Sequence, residues 1–145
     1  MTQLVGQPSD TDSELLQLVQ DAIYDPHITS HPELHAGLWL YADQLERSHR
    51  ISQSISSPTG SYWHGIMHRR EGDFWNSKYW FRQAANHPAM QSSRLTDYNP
   101  FDFVDAVEAT HQAGEDHSLD LIHIQQQEWR MLFDWCLANA NKTTL

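Results

Sequence analysis

Apolar side chains recur along this chain at intervals of three and four residues, and polar or turn-forming residues separate the runs. This spacing is typical of amphipathic α-helices that bury one face. No segment alternates apolar and polar residues over the length that a half-buried β-strand needs. The pattern predicts an all-α fold, namely a single irregular bundle of about six helices.

Capping residues, prolines and glycines indicate where these helices begin and end. Thr11 with Glu14, and Ser30 with Glu33, have the spacing of a capping box. The segment "SSPTG" interrupts a long apolar-periodic stretch, so a new helix is expected to begin there at Pro58. The remaining boundary residues are the expected N-caps Asp73 and Asn99 and the expected C-terminal glycines Gly72 and Gly114.

These boundaries predict one domain. Residues 1–10 are expected to form a flexible N-terminal tail, 11–139 a single helical domain, and 140–145 a frayed C-terminal tail. The predicted helices cover 11–25, 31–54, 58–71, 73–87, 100–113 and 118–138.

The cysteine content and the apolar runs bear on location. Cys136 is the only cysteine, so no intramolecular disulfide can form, and this favours a reducing, cytoplasmic environment. The longest apolar run, "AGLWLYA", is far too short to cross a bilayer. The N-terminal segment "MTQLVGQPSDTDSE" lacks the basic start and apolar stretch of a secretory signal.

The net charge of −10 argues against binding to nucleic acid or to an anionic membrane. The charge is unevenly distributed, because the segment 47–82 carries six basic against two acidic side chains. Two interpretations remain open. The basic residues pair with acidic residues of other helices, or they form a local site that attracts anions.

The segment "GDFWNSKYWFRQAANHP" resembles the second half of a tetratricopeptide-type repeat. The resemblance implies a repeat-like helical hairpin over 58–88, in a single copy that does not make a solenoid. The wider pattern "TGSYWHGIMHRREGD", followed by "NPFDFVDAVE" and "EWRMLFDWC", resembles small helical proteins of uncharacterised activity. The residues that carry the repeat resemblance are Gly72, Asp73, Ser77, Phe81, Ala84 and Pro88.

A cluster of arginines predicts a binding site for an anion. Arg70 falls on the core face of its helix, beside Trp63, so its charge must be paired. Guanidinium groups bind carboxylates and phosphates in bidentate geometry. The leading hypothesis is a cytoplasmic binding module with a His/Arg/Glu pocket for an acidic small molecule or peptide. The proposed ligand-binding residues are Arg69, Arg70, Arg82, Trp75, Tyr79 and His49, on a frame that includes Trp63 and Trp80.

The alternative hypothesis is a metal-dependent enzyme using His64, His68 and Glu71. Two histidines at i and i+4 on a helix can bind one zinc, iron or manganese ion, and Glu71 lies one turn further on. Gly65 stands where H-E-x-x-H enzymes have their catalytic glutamate, so that motif is absent. A further ligand must come from elsewhere, and the candidates nearest in sequence are His49, His87 and Asp73. His49 reaches this helix if the two helices pack antiparallel through "SSPTG".

Other chemistries have less support. A His/Glu pair could act in acid–base catalysis, but no nucleophile accompanies it, and Cys136 lies on the apolar stripe of the last helix. The chain has no glycine-rich phosphate loop and no C-x-x-C pair. Another histidine pair at i and i+4, His31 and His35, shows how readily such spacing arises among ten histidines. A third hypothesis is a structural protein that forms a homodimer through apolar surface, since the chain contains six tryptophans.

Overall fold

The computed structural model describes residues 1–6, 13–85, 87–91, 95 and 97–142. Within these residues all regular structure is helical and no strand occurs, which confirms the predicted all-α class. The helices are α1 Ser13–Ile23, α2 Pro32–Tyr41, α3 Leu45–Gln53, α4 Pro58–Arg70, α5 Phe74–Gln83, α6 Pro100–Gln112 and α7 Leu119–Lys142, with a 3₁₀ turn at Pro88–Gln91.

Several predicted boundaries are confirmed. The Asp73 side chain accepts a hydrogen bond from the backbone N–H of Asn76 at the start of α5. Asn99 caps α6 in the same way. Gly72 follows α4 with a φ of 84°, a left-handed conformation that is costly for other residues. The capping box at Thr11 lies outside the described residues.

The predicted capping box at Ser30 is wrong. Helix α2 begins at Pro32, and its N-cap is His31, whose side chain makes no capping hydrogen bond. The fixed φ of proline suits the first helical position, where its missing N–H has no intrahelical partner to lose. The helix therefore starts one residue later than the capping-box spacing predicts.

The predicted long helix over 31–54 is also wrong. The chain leaves α2 after Tyr41 and enters α3 at Leu45, because Asp43 adopts a left-handed φ of 60°. A carboxylate oxygen of Asp43 lies 2.6 Å from Nη2 of Arg70. This ion pair with a different helix stabilises the break, and local propensity alone does not reveal it.

Residues 1–6 pack against the helices, so the prediction of a flexible tail is wrong for this part of the chain. Leu4 is fully buried and joins an apolar cluster beside α6 and α7. Its backbone N–H donates to the carbonyl of Asp116, and the N–H of Gly6 donates to the carbonyl of Arg70. Met1 is also buried, and these apolar contacts hold the segment in place together with the hydrogen bonds.

The end of the last helix also differs from the prediction. Helix α7 continues to Lys142 rather than ending near Ala138, and Ala140 is buried against the core. The predicted frayed tail over 140–145 is therefore wrong at its first residue. Residues 143–145 lie outside the described part of the chain.

Helix α4 is the central element, since Tyr62, Trp63, Ile66 and Met67 form the predicted core face and are almost fully buried. Helix α5 folds back on it as a hairpin. A Cβ atom on Gly65 would lie 2.7 Å from the ring of Phe81, so the close approach of the two helices requires glycine there. The tetratricopeptide resemblance of this hairpin stays a prediction.

Helices long enough and apolar enough to traverse a lipid bilayer are absent from the part of the chain that the structure describes.

Candidate functional site

Arg69, a predicted ligand-binding residue, is fully buried and already paired within the protein. Its Nη1 and Nη2 atoms donate to the two carboxylate oxygens of Glu128 at 3.0 and 2.6 Å, and Nη2 also lies 3.3 Å from Oε1 of Gln125. Burial alone would lower the pKa of Arg69, but the Glu128 carboxylate raises it overall. The guanidinium is therefore charged, and this bidentate pair joins α4 to α7.

Two tyrosines complete this arrangement. The Tyr98 hydroxyl donates to Oε2 of Glu128, and the hydroxyls of Tyr62 and Tyr98 are 3.0 Å apart. Burial, followed by the nearby Glu128 charge, raises the pKa of both tyrosines, so both stay protonated and can donate. We call this group the arginine–glutamate core. It consists of Arg69, Gln125, Glu128, Tyr62 and Tyr98.

Arg70 pairs with Asp43, as its position on the core face required. Its Nη2 lies 2.6 Å from a carboxylate oxygen of Asp43, and only 1% of its side chain is exposed. Burial lowers the pKa of Arg70, and the Asp43 carboxylate opposes this shift. Arg69 and Arg70 therefore contact two different internal acids, and they do not come together as the predicted anion clamp.

The predicted ligand-binding residues of α5 lie on the protein surface, apart from the two buried arginines. Arg82 is exposed on α5, where Trp75 and Tyr79 stack with ring centroids 6.3 Å apart. Trp75 is 72% exposed, whereas Trp63 is fully buried. The four aromatic rings of the predicted frame consequently do not surround one pocket.

The structure does bring together three histidines, which we call the histidine cluster: His49, His64 and His68. His64 and His68 lie one turn apart on α4, and their ring centroids are 5.3 Å apart. Helix α3 returns antiparallel to α4 and places the His49 ring 4.7 Å from His64 and 5.4 Å from His68. One ring nitrogen of each residue lies within 4.8 Å of the others. The expectation that His49 reaches α4 is confirmed.

The environment of His49 and His64 favours the neutral imidazole. Burial, then the neighbouring His49 and His68, lowers the pKa of His64 to about 4. Burial followed by His68 also lowers the pKa of His49. Neutral imidazole is the form that binds metal ions, so at neutral pH His49 and His64 do not require deprotonation before they can act as ligands.

His64 is held rigidly but lacks a hydrogen-bond partner. Its ring stacks on the indole of Trp80, with centroids 4.0 Å apart and planes 3° from parallel. Its Nε2 atom is buried without a hydrogen-bond partner. A buried polar atom left unsatisfied costs about 1–3 kcal/mol, so this nitrogen calls for an explanation that packing does not supply.

Glu71 orients the third histidine. Its Oε1 atom accepts from Nδ1 of His68 at 2.6 Å, and Asp73 lies 3.8 Å from the same nitrogen. This hydrogen bond occupies Nδ1 and leaves Nε2 as the His68 ring nitrogen available to a ligand. Carboxylates orient metal-binding histidines in this way. His68, Glu71 and Asp73 form a second group with metal-ligand spacing, and this group contains two carboxylates.

A surface cleft of about 310 Å³ adjoins the cluster. His49 and Glu71 belong to its walls, so at least two members of the site are reached from solvent. The remaining lining residues are Val5, Gly6, Leu45, Glu46 and Met67.

Two other residues considered for chemistry have structural roles. His87, a candidate third ligand, lies elsewhere: its Nδ1 accepts from the N–H of Ala89, and its Nε2 is 2.8 Å from the Thr59 hydroxyl. Cys136 is buried in the core cluster, as the apolar stripe predicts, and burial raises the pKa of its thiol to about 12.

Sequence reasoning missed the partners that decide these roles. Glu128 and Asp43 neutralise the two buried arginines, and no sequence spacing links them to α4. Glu128 did carry one signal, since it falls on α7 close to the apolar stripe that includes Trp129 and Leu132. A carboxylate near a core stripe needs a buried cation, and Arg69 is that cation.

Comparison with known proteins gives no family for this chain. No protein-family model matches it, no curated protein matches it, and no solved structure matches it.

Proposed function

We propose that this chain is a metal-binding helical protein whose centre consists of His49, His64 and His68. The observation that carries the proposal is the convergence of three imidazoles, one of which, His64, has a buried Nε2 without a hydrogen-bond partner. A metal ion would satisfy this nitrogen. Glu71 would then orient His68 by accepting from its Nδ1.

Zinc is the ion that this donor set suits best. Structural and catalytic zinc sites use imidazole nitrogens at about 2.0–2.1 Å, and three histidines with an open position are an established ligand set. Iron(II) also accepts imidazole, whereas manganese prefers a larger share of oxygen ligands. Glu71 and Asp73 have metal-ligand spacing with His68, in a group separate from that of the three histidines. The three-histidine group itself supplies no oxygen ligand, so manganese fits it less well.

The distances are compatible with zinc after small side-chain movements. Tetrahedral geometry at this bond length places ligand nitrogens roughly 3.3 Å apart. The ring nitrogens here lie within 4.8 Å of one another, so they must approach by up to about 1.5 Å. His49 is half-buried at the edge of the cleft, and rotation of its side chain can supply most of this movement.

The leading hypothesis from the sequence now has less support. Binding of an acidic small molecule or peptide relied on Arg69 and Arg70, whose guanidinium groups contact Glu128 and Asp43. Arg82, Trp75 and Tyr79 remain on the surface of α5. Acidic-ligand binding, a homodimer and cytoplasmic location stay predictions.

The experiment compares metal binding by variants of two histidine pairs with the same spacing. Untagged protein, purified without chelators, is analysed by plasma mass spectrometry and then titrated with zinc by calorimetry. His64→Ala removes the central ligand. His35→Ala is the matched control, because His35 belongs to another i, i+4 pair and its Nε2 already bonds the Ile28 carbonyl.

We expect one zinc per chain in the wild-type protein and in His35→Ala. His64→Ala should lose stoichiometric binding while its helical circular dichroism stays unchanged. Equal zinc affinity of His64→Ala and wild type would contradict the proposal, as would the absence of binding to folded wild-type protein.

A further inference from the structure

We propose that the chain binds a free aromatic α-amino acid in a second cavity, between α1 and the pair α2 and α3. We call it the α1 cavity, and its walls include Asp21, Tyr24, Trp39 and Arg47. It shares no lining residue with the cleft beside the histidine cluster, so this proposal goes beyond metal binding and does not rest on it. Its volume of about 360 Å³ is at the lower end of the range for ligand sites, which suits a small molecule.

Helical spacing brings the wall residues of α1 together. Gln17, Asp21 and Tyr24 are at i, i+4 and i+7, so they lie on one face of the helix and of the turn that follows it. Trp39 of α2 and Arg47 of α3 complete the walls from the neighbouring helices. The acidic and the basic group of the cavity therefore come from different helices.

Arg47 is oriented for a carboxylate. Its guanidinium carbon lies 4.6 Å from the centre of the Trp39 ring. Stacking of this kind orients the guanidinium, which keeps its N–H donors for a second partner. Within the described part of the chain no carboxylate pairs with Arg47, whereas Arg50, one turn further on, pairs with Glu46 at 3.6 Å. The donors of Arg47 are therefore available for bidentate contact with the carboxylate of a ligand.

Asp21 supplies the opposite charge. Its Oδ1 atom accepts from Nε2 of Gln17 at 2.9 Å, and this hydrogen bond orients the carboxylate. Asp21 and Arg47 line the same cavity, yet no ion pair joins these two described residues. Opposite charges that share a cavity without neutralising each other are complementary to a ligand that carries both charges. An α-amino acid is such a ligand, because its ammonium and carboxylate groups are attached to one carbon.

The remaining wall residues select the side chain of the ligand. Tyr24 is 79% exposed, so packing within the protein does not account for its ring. Ile23 and the half-buried Trp39 add apolar surface to the same walls. Aromatic rings attract each other more strongly than their buried area alone accounts for. The cavity therefore favours phenylalanine, tyrosine or tryptophan over small or charged amino acids.

The test is an NMR titration of the untagged full chain at pH 7 that follows the tryptophan indole N–H signals, with the Trp39 signal assigned from Trp39→Phe. The probes are L-phenylalanine, L-phenylalaninamide, which lacks the carboxylate, and N-acetyl-L-phenylalanine, which lacks the ammonium group. L-Phenylalanine should shift the Trp39 signal with a dissociation constant on the order of 1 mM. Each analogue should bind about tenfold more weakly, because one charge-assisted hydrogen bond is lost.

Two variants assign the charges. Arg47→Gln should weaken the binding of L-phenylalanine about tenfold and remove its advantage over the amide. Arg50→Gln is the matched control, since it removes the same charge from the same helix outside the cavity, and binding should change by less than about twofold. Asp21→Asn keeps an acceptor for Gln17 and should remove the advantage of L-phenylalanine over the N-acetyl compound. Circular dichroism checks that each variant is folded.

The outcomes are distinct from those of the metal experiment. Equal binding of L-phenylalanine by wild type and folded Arg47→Gln would overturn the proposal, as would the absence of saturable binding below about 20 mM. Equally tight binding of the N-acetyl compound would overturn the role of Asp21 and indicate the C-terminus of a peptide as the ligand. Zinc stoichiometry, measured on the same sample, tests the histidine cluster separately.

Discussion

The arginine–glutamate core and the histidine cluster are two buried polar groups that share helix α4. Each contains one buried nitrogen without a hydrogen-bond partner, Nε of Arg69 and Nε2 of His64, but only the first is built on a bidentate ion pair. Arg69 of the first group has an opposite charge on Glu128 in bidentate contact, with Tyr98 donating to the same carboxylate. The second group places three imidazole rings together and leaves Nε2 of His64 without a hydrogen-bond partner. A buried charge with its counter-charge stabilises a fold. A buried cluster of polar groups without partners indicates a site that a ligand completes.

Neighbouring residues belong to opposite groups. His68 and Arg69 are consecutive on α4, and one helical step turns the first towards α3 and the second towards α7. Composition alone therefore cannot distinguish a binding residue from a structural one in this segment. The partner on the facing helix makes the distinction.

The largest effect on stability is expected from removing the counter-charge in the arginine–glutamate core. Glu128→Gln leaves the Arg69 charge buried without its counter-charge, and we expect a loss of about 3–5 kcal/mol in the free energy of unfolding. Urea denaturation followed by circular dichroism measures this. The control is Glu46→Gln, which removes an exposed ion pair with Arg50 and should cost less than about 1 kcal/mol. Equal stability of the two variants would show that the core does not stabilise the fold.

A smaller effect on stability is expected from zinc binding to the histidine cluster. Zinc at a hundredfold excess over its dissociation constant should raise the free energy of unfolding by about 2.7 kcal/mol. Thermal denaturation with and without zinc measures the gain, and His64→Ala should abolish it. If zinc stabilises His64→Ala as much as wild type, the ion binds outside the histidine cluster.

His87 sharpens the comparison, because it is a buried histidine with both ring nitrogens in hydrogen bonds. Burial lowers its pKa in the folded protein to about 4, below the value of about 6.5 in the unfolded chain. The unfolded state therefore binds the proton first, and stability is lost as pH falls from 6.5 towards 4. We expect His87 to contribute about 2 kcal/mol of the loss between pH 7 and pH 5.

The measurement is urea denaturation at these two pH values for wild type and for His87→Asn. Asparagine retains an acceptor for the N–H of Ala89 but does not titrate. The variant should be less stable at pH 7 and should depend less on pH. An unchanged pH dependence would mean that His87 does not remain neutral in the folded protein.

The smallest expected effect concerns the orientation of His68. Glu71→Ala removes the acceptor of the Nδ1 hydrogen bond, and zinc affinity should fall by about 10- to 100-fold, or roughly 1.4–2.7 kcal/mol. Calorimetric titration of wild type and variant measures the change. An unchanged affinity would show that the ring is oriented by packing alone.

The fold class could be read from the sequence, because helical periodicity and the caps Asp73 and Asn99 are local signals. The break at Asp43 could not, since its left-handed backbone is stabilised by Arg70, which lies distant in sequence. The burial of Leu4 likewise depends on a surface that exists only after α6 and α7 have packed.

The candidate site could be predicted in part. The pair His64 and His68 follows from helical spacing, and the antiparallel turn made His49 a reasonable third member. Arg69 was assigned to ligand binding because its charge is visible in the sequence, whereas the Glu128 that neutralises it lies on another helix. Long-range pairing of charges is the information that the sequence pattern lacks.

The most direct test of the central claim is zinc K-edge X-ray absorption on untagged, zinc-loaded full chain. The account predicts three imidazole nitrogens at about 2.0–2.1 Å and one further light-atom ligand from water. It also predicts that His64→Ala no longer gives this spectrum. A shell of oxygen ligands without imidazole scattering, or the same spectrum from His64→Ala, would contradict the assignment of the histidine cluster as the metal centre.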